Sequence, residues 1–501
     1  MRRRPDPVAL LLLAAAGVTL AVRIVTHEMW FDELQAWSIV RDNSPLGVLR
    51  ALGYESHPPL WYLVLWPVSR LTRDPRAMQV VQFALAMGTA AVIVLWSPFR
   101  RWQQAALLFG YFLGFEYGAL SRSYGLGVLL LAAALALASV SSPRWKVIGA
   151  FLGLACLTSV MAVFVAGAIT VGLLVRERRA IPALMGPALL GAVLTAVSLR
   201  PASDIGRSLS YIEPSFTPQR AFVASSRVWR ALVPIPSTKP WPWNTNILDP
   251  GHHIENNPFT DVAYSFTMQR VLGLFLMAAV AAVLWRNRAA FTVWVTGVLG
   301  LMVFSLFVVG LGMRHTGHFF LVFLAAVWMA GTHSAGSDGD DAGQPIVTHS
   351  LVSVLLLAQL GAALALTAQV GDRPFSQGRA VAAMLRHDGL DGRLIVVDSD
   401  IASAATATWL DRPVWFANAQ RFGRYPVFDK RRERRGDAAR YANVVEVARD
   451  APNPSGRPVV LVLNYPLEPG PGLELYATFA GDVALEKGYW VYVLDVSRPV
   501  A

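Results

Sequence analysis

The sequence predicts a polytopic α-helical membrane protein of about eleven transmembrane helices that ends in an extracytoplasmic α/β domain. Three observations lead there. Hydrophobic residues make up 54% of the 501 and charged residues only 15%, against roughly 25% charged in soluble chains. Apolar runs close to the ~20 residues that cross a bilayer recur from position 8 to 369. From 370 onward the composition becomes that of a soluble domain. The formal charge of +11 sits mostly in short loops between apolar runs, where membrane orientation accounts for it better than nucleic acid does. A smaller share suits anionic headgroups. Cys156 is the single cysteine. It excludes an intrachain disulfide and a cysteine-based metal site, and reads as a small buried hydrophobe.

Taking the chain in order, Arg2 to Arg4 precede an apolar run over 8–26 with no small-residue cleavage site after it, which predicts an uncleaved first span with its arginines in the cytoplasm. The 27–76 stretch then lies outside. Within it, Asp32 to Val40 has Leu34, Trp37 and Val40 on one side and predicts a short amphipathic helix. The run over 58–71 is short for a crossing, and Trp61 and Trp66 suit the interface, so it reads as a helix on the membrane surface. Spans follow at 77–97, 103–120 and 124–140, with Arg100 and Arg101 inside and Ser121 to Tyr124 outside. The stretch 147–175 leaves and returns as two short spans meeting near Thr158 and Ser159, and 181–199 goes out again. This parity holds only if 58–71 does not cross.

Residues 200–267 read as a second outer loop, rich in Pro and Trp and containing His252, His253 and Glu255, whose spacing is not diagnostic of a metal site. Spans at 268–285, 290–312, 315–332 and 347–369 follow, with an inside linker at Ser334 to Pro345 and an outside turn at Met313 to His318. In the 370–501 domain, Leu394–Asp398, Val459–Leu463 and Trp490–Leu494 predict buried strands and 401–410 predicts an alanine-rich helix. The basic run Lys430 to Arg435 reads as a solvated surface. Neither a phosphate-binding P-loop nor a dinucleotide fingerprint is present.

Ionisable groups near span ends on one face are the functional candidates, because charge is costly at membrane depth. On the outer face these are Asp32, Glu33, His57, Glu116, Arg122, Tyr124, Arg314, His315 and His318. Carboxylates from the first loop facing cations from two later span ends suit an acid–base step beside a bound anion. Structural readings stand beside these. Asp32, with Gln35 three positions on, has the pattern of a helix N-cap. Glu33 supports Asp32, coordinates a metal or simply favours the helix dipole. His57 contacts substrate or shapes the loop before Pro58-Pro59, and Glu116 pairs with Arg122 or serves the substrate.

The combination of Trp30-Phe31-Asp32-Glu33, then His57-Pro58-Pro59-Leu60, then Ser121-Arg122-Ser123-Tyr124 resembles the GT-C superfamily of membrane glycosyltransferases. Within it, the chain is similar to the family 39-type enzymes, protein O-mannosyltransferases and aminoarabinose transferases. The motifs cover roughly 8–200, and architecture extends the resemblance to 369. The resemblance implies a polyprenyl-phosphate sugar donor, a cell-envelope acceptor (glycan, lipid or protein), a bacterial plasma-membrane setting, and an inverting transfer with Asp32 as general base. Arg122 would hold the lipid phosphate bidentately, with Arg314 or His318 assisting. Only one essential carboxylate is needed, because phosphate leaves as a stable anion. The residues single out no definite cofactor, and a divalent metal, with Glu33 as a candidate ligand, stays open. Relatives carry an aromatic Arg-Tyr pair where this chain has Arg314-His315. Two other classes are a transporter or flippase of lipid-linked sugars, which expects mid-membrane charges and internal repeats, and a non-catalytic envelope-assembly scaffold, which tolerates loss of Asp32.

Overall fold

The computed structural model describes residues 6–496 apart from 56, 207–223, 239–241, 250–257, 308–311, 335–345, 372, 399, 434–443, 469, 481–482 and 484–487. The His252, His253 and Glu255 cluster, most of the 334–345 linker and the end of the basic run at 430–435 therefore lie outside the described residues.

The chain is a polytopic helical protein with a C-terminal sheet. Its first helix, α1 (Pro7–Thr26), is capped by Asp6, whose carboxylate accepts from the Ala9 N–H at 2.6 Å, and Pro7 occupies the first turn. The loop after it holds α2 (Phe31–Asp42), α3 (Pro45–Ala51) and α4 (Leu60–Leu71). The 12 residues of α4 make about 18 Å, too short for the ~30 Å hydrocarbon layer. Helices α5 (Ala77–Trp96), α6 (Arg101–Phe109), α7 (Ser123–Ala138), α8 (Trp145–Cys156), α9 (Val160–Arg176) and α10 (Ile181–Ser198) follow. After α11 (Ser226–Leu232) come α12 (Pro258–Leu284), α13 (Arg288–Phe307), α14 (Met313–Ser334) and α15 (Ile346–Val370). Among the described residues seven helices are long and apolar enough to cross a membrane, and three shorter apolar helices, α7, α8 and α9, accompany them. The Arg101 Nη2–Asp6 Oδ2 pair at 2.7 Å puts the start of α1 and the α5–α6 turn at one end of the bundle, as the arginine count expects.

Two expectations are corrected. The span over 103–120 is not continuous. After α6 the chain forms a wide helical turn over Tyr111–Glu116 and then an irregular stretch to Arg122. Such a bulge leaves backbone groups for side chains to satisfy, and the Gln82 amide donates to the Tyr117 and Gly118 carbonyls. The second outer loop does not stay outside the bundle. Its α11 is buried, its last carbonyls receive the Gln359 amide of α15, and α12 begins ten residues earlier than the hydropathy edge at 268. Elsewhere the helices pack closely through small residues. A Cβ on Gly191 of α10 would lie 2.2 Å from the Gly153 carbonyl oxygen of α8, the backbone-to-backbone approach typical of spans that pack without a hydrophobic driving force.

The C-terminal part adds α16 (Gly378–His387), α17 (Asp400–Leu410), a basic turn, α18 (Lys430–Glu433), and α19 (Val444–Arg449) to a six-stranded sheet ordered β3-β2-β1-β4-β6-β5. The strands are β1 (Ile395–Val397), β2 (Val414–Phe416), β3 (Arg421–Gly423), β4 (Val459–Leu463), β5 (Leu473–Phe479) and β6 (Tyr489–Leu494). β1 runs parallel to β2 and β4, and the remaining pairs are antiparallel. One sheet face, with α16 and α17, shares a single apolar core with α2 and α4. Leu34, Trp37, Ile39, Trp61 and Leu65 pack with Val381, Leu385, Ala405 and Val460. The Ser38 and Thr408 hydroxyls meet at 2.7 Å across this seam. The sheet domain is thus continuous with the 27–76 loop and holds α2 from above.

Candidate functional site

The site begins with the way α2 starts. Asp32 does not cap it. Trp30 is the N-cap residue, and Glu33, three positions on, turns back to accept the Trp30 N–H at 3.2 Å. Gln35, the partner expected for an Asp32 cap, instead donates to both carboxylate oxygens of Glu55 at 2.7 and 2.8 Å. Glu33 also meets His27 Nε2 at 2.8 Å and accepts the Ser121 N–H at 2.6 Å, and it is fully buried. Its two oxygens thus tie α1, α2 and the turn before α7 together. That frees Asp32, on the adjacent face, to point elsewhere.

Asp32 faces two guanidinium groups. Its Oδ2 pairs with Arg122 Nη1 and lies 3.1 Å from Arg314 Nη1. Arg122 is the N-cap residue of α7 and Arg314 stands in the first turn of α14, so the two cations come from separate helix ends. Burial alone would push the Asp32 carboxyl up. Arg122 and then Arg314 outweigh it and hold the carboxyl below its ordinary range. Each cation has an aromatic floor, Arg122 over Tyr124 at 5.8 Å and Arg314 over Trp30 at 5.3 Å.

His57 completes the group. Its Nδ1 lies 2.6 Å from the Glu55 carbonyl oxygen and its Nε2 lies 3.4 Å from Arg122 Nη2. A neutral ring that donates through Nδ1–H and accepts at Nε2 fits both contacts. Burial, then Arg122, pushes its pKa down to about 4. The Leu60 N–H donates to the Leu157 carbonyl at 3.1 Å and so pins the His57-Pro58-Pro59 turn to the α8–α9 break.

Tertiary structure thus brings Asp32, His57, Arg122, Tyr124 and Arg314 into one cluster. It places three other candidates outside it. Glu33 serves the scaffold just described. Glu116 is buried and takes the Trp243 Nε1–H at 3.0 Å and the Tyr111 hydroxyl at 3.3 Å, in place of the Arg122 pairing open to it from sequence. His318 is sealed between Ser159 Oγ at 3.2 Å, the His315 carbonyl at 3.0 Å and the Tyr117 hydroxyl at 3.4 Å. The Tyr117 hydroxyl also donates to the Arg314 carbonyl at 2.7 Å. His315 packs edge-on to Tyr124. Close packing here needs Gly317, where a Cβ would fall 2.3 Å from the Tyr117 oxygen. Among the described residues no three His, Cys, Asp or Glu side chains converge as metal ligands.

From sequence, Trp30 and Ser121 figure only as members of the motifs around Asp32 and Arg122, and His27 and Trp243 carry no role. The only signal for Ser121 was its place beside Arg122. Trp30, Trp243 and Phe375 stack edge to face at 4.9–6.5 Å, so the first loop, the second loop and the start of the C-terminal part roof the site jointly. A separate cavity of about 430 Å³ opens beside it, between the ends of α1 and α5 and the sheet domain, lined by Ile24, Val25, Val80, Phe83, Arg76 and Arg379.

No family model and no curated protein matches the chain. Among solved structures, the chain is similar in shape to that titled "Crystal Structure of ArnT from Cupriavidus metallidurans in the apo state". The alignment covers 97% of this chain and 97% of that one, at 13% identity and a TM-score of 0.49. It is a likeness of outline, and no residue role is carried over from it.

Proposed function

We propose that the chain is a membrane glycosyltransferase. It moves a monosaccharide from a polyprenyl-phosphate donor to a cell-envelope acceptor (glycan, lipid or protein) at the outer face of the bacterial plasma membrane, with inversion at the anomeric carbon. The observation that supports this most is a single carboxylate, Asp32, held between two guanidiniums from different helix ends. Two forks that converge on one carboxylate oxygen match the oxygens of a phosphodiester equally well.

The chemistry follows from competition for those forks. While both arginines hold it, Asp32 is a weak base, because its pKa is depressed. When the donor phosphate arrives, its oxygens take the Arg122 and Arg314 N–H groups. Asp32 loses its counterions and keeps its desolvation, so its basicity rises. It then accepts the proton of the acceptor hydroxyl or amine as that atom attacks C1 of the sugar. The C1–O bond to phosphate breaks, and the bond electrons leave with polyprenyl phosphate, whose charge Arg122 and Arg314 neutralise. His57, neutral and accepting from Arg122 Nη2, keeps that guanidinium in the plane of the exchange. The long apolar helices and the apolar cavity flanked by Arg76 and Arg379 suit a lipid-borne substrate.

The test is transfer of a labelled sugar from a polyprenyl-phosphate donor to isolated envelope acceptors by the purified full chain. Release of polyprenyl phosphate is followed in parallel. A wild-type protein that binds and moves the lipid intact across a bilayer, without breaking the C1–O bond, would place it with transporters instead.

A further inference from the structure

A second basic pocket lies at the far end of α2. From Asp32 to Arg41 is nine residues, about 14 Å along a helix, so this pocket is separate from the Asp32 cluster. It is a cavity of about 470 Å³ that takes four arginines, Arg41, Arg70, Arg73 and Arg424, from the α2 end, the α4 end and the sheet domain. Two carboxylates serve them. Asp411 pairs with Arg41 at 2.6 Å and with Arg73 at 3.6 Å, and Asp42 pairs with Arg41 at 3.1 Å and with Arg424 at 3.2 Å. Four cations against two anions leave two positive charges in excess.

The arrangement also leaves buried guanidinium nitrogens without an acceptor. The Arg41 side chain is only 6% exposed, yet its Nη2 meets no hydrogen-bond partner among the described residues, and neither does Arg424 Nε. A buried charged donor without an acceptor is costly, because it has lost water and gained nothing. Arg70 donates to the Val40 and Arg41 carbonyls at 2.7 and 2.5 Å, which fixes the floor. The rim is exposed. Arg73 is 82% exposed and Leu71 beside it is 87% exposed, at the end of the short surface helix α4.

We infer that this pocket binds an oxyanion of the phosphate class, with the guanidiniums of Arg41, Arg73 and Arg424, which line it, as donors. Its place at the end of α4 lets the phosphate belong either to a lipid headgroup or to a soluble molecule. The inference is independent of the transfer chemistry assigned to Asp32.

The test uses the full chain in neutral detergent, titrated with inorganic phosphate against chloride at equal ionic strength and followed by calorimetry and thermal unfolding. Wild type should show saturable phosphate binding that chloride does not reproduce, and Arg41→Gln should bind at least tenfold more weakly. Because Arg41 also holds Asp411, Arg73→Gln is the second variant. It gives up only an exposed 3.6 Å contact, keeps the unfolding temperature, and should weaken binding at least threefold. Nanodiscs with phosphatidate then locate the source. Loss of free-phosphate binding relative to phosphatidylcholine nanodiscs assigns the site to a headgroup, and retained binding assigns it to a soluble phosphate. Equal effects of chloride and phosphate, or an unchanged titration in both variants, would overturn the inference.

Discussion

Replacing Asp32 with Asn separates the proposed chemistry from a structural ion pair, because the two readings predict opposite changes in phosphate affinity. Asn keeps the shape and loses the base, so transfer should fall by about 10²–10⁴, or ~3–5 kcal/mol of barrier. Binding should move the other way. At the 3.1 Å that separates Arg314 from Asp32, one carboxylate–guanidinium pair is worth about 5 kcal/mol at an effective dielectric of ~20 before desolvation is subtracted. A donor phosphate must displace that attraction in wild type and meets none of it in the variant. After desolvation, a tenfold to hundredfold tighter hold on polyprenyl phosphate is the expected residue, about 1.4–2.8 kcal/mol. The free variant should also be less stable, by roughly 3 kcal/mol, because two largely buried guanidiniums face each other without a counterion. Added polyprenyl phosphate should restore the loss. The assays are single-turnover transfer, equilibrium binding of the lipid phosphate, and thermal unfolding with and without it. Transfer within threefold of wild type, or weakened binding of the lipid phosphate, would refute the reasoning.

Three further outcomes follow from the same geometry. Arg122→Lys replaces a fork that reaches Asp32 and His57 together with a point charge, so KM for the donor should rise at least tenfold in steady-state assays. Glu33→Gln loses a carboxylate that receives three contacts. It should cost ~3 kcal/mol in thermal or denaturant unfolding while the pH profile of the remaining activity keeps its shape, as expected of a positioning residue. His57 is held neutral with its pKa near 4, whereas the unfolded chain takes up that proton from ~6.5 downward. Its contribution to stability should therefore fall as pH drops from about 6.5 to about 4, by up to ~1.4 kcal/mol per pH unit. His57→Asn should flatten that part of a stability-versus-pH curve. The Asp32 ion pairs lose stability in the same direction but in a lower pH window. With a depressed folded pKa they are intact above ~4 and are lost only as pH falls below that.

Much of the architecture was legible because it depends on properties local to the chain. Hydropathy located α1, α5, α7, α10 and α15 within a few residues of their ends, since a bilayer demands a fixed run of apolar side chains whatever the neighbours are. Residue length likewise marked α4 as too short to cross. The interrupted α6 region was not legible. Its apolar composition is that of a span, while the wide turn after Gly110 packs Phe112 against Gly317 of α14 and Gly110 itself against Gln359 of α15, contacts that no local pattern marks. Strands β2, β3 and β5 were also missed. Two are three residues long, and β5 is mostly exposed, so neither length nor periodicity marked them.

The candidate site divides in the same way. The sequence alone determined which residues had the right chemistry at the ends of spans, Asp32, His57, Arg122 and Arg314 among them, because charge near a membrane is confined by its solvation cost. Only the tertiary structure decided their partners. Asp32 and Glu33 are adjacent in sequence, yet one faces two guanidiniums and the other binds the scaffold. Successive helical residues point about 100° apart, and which direction meets Arg122 or Ser121 depends on chain 90 and 88 positions away. The same long-range docking made the sheet domain a wall of the loop's own core. No local pattern carries that information, because it arises from surfaces that meet only once the chain has folded.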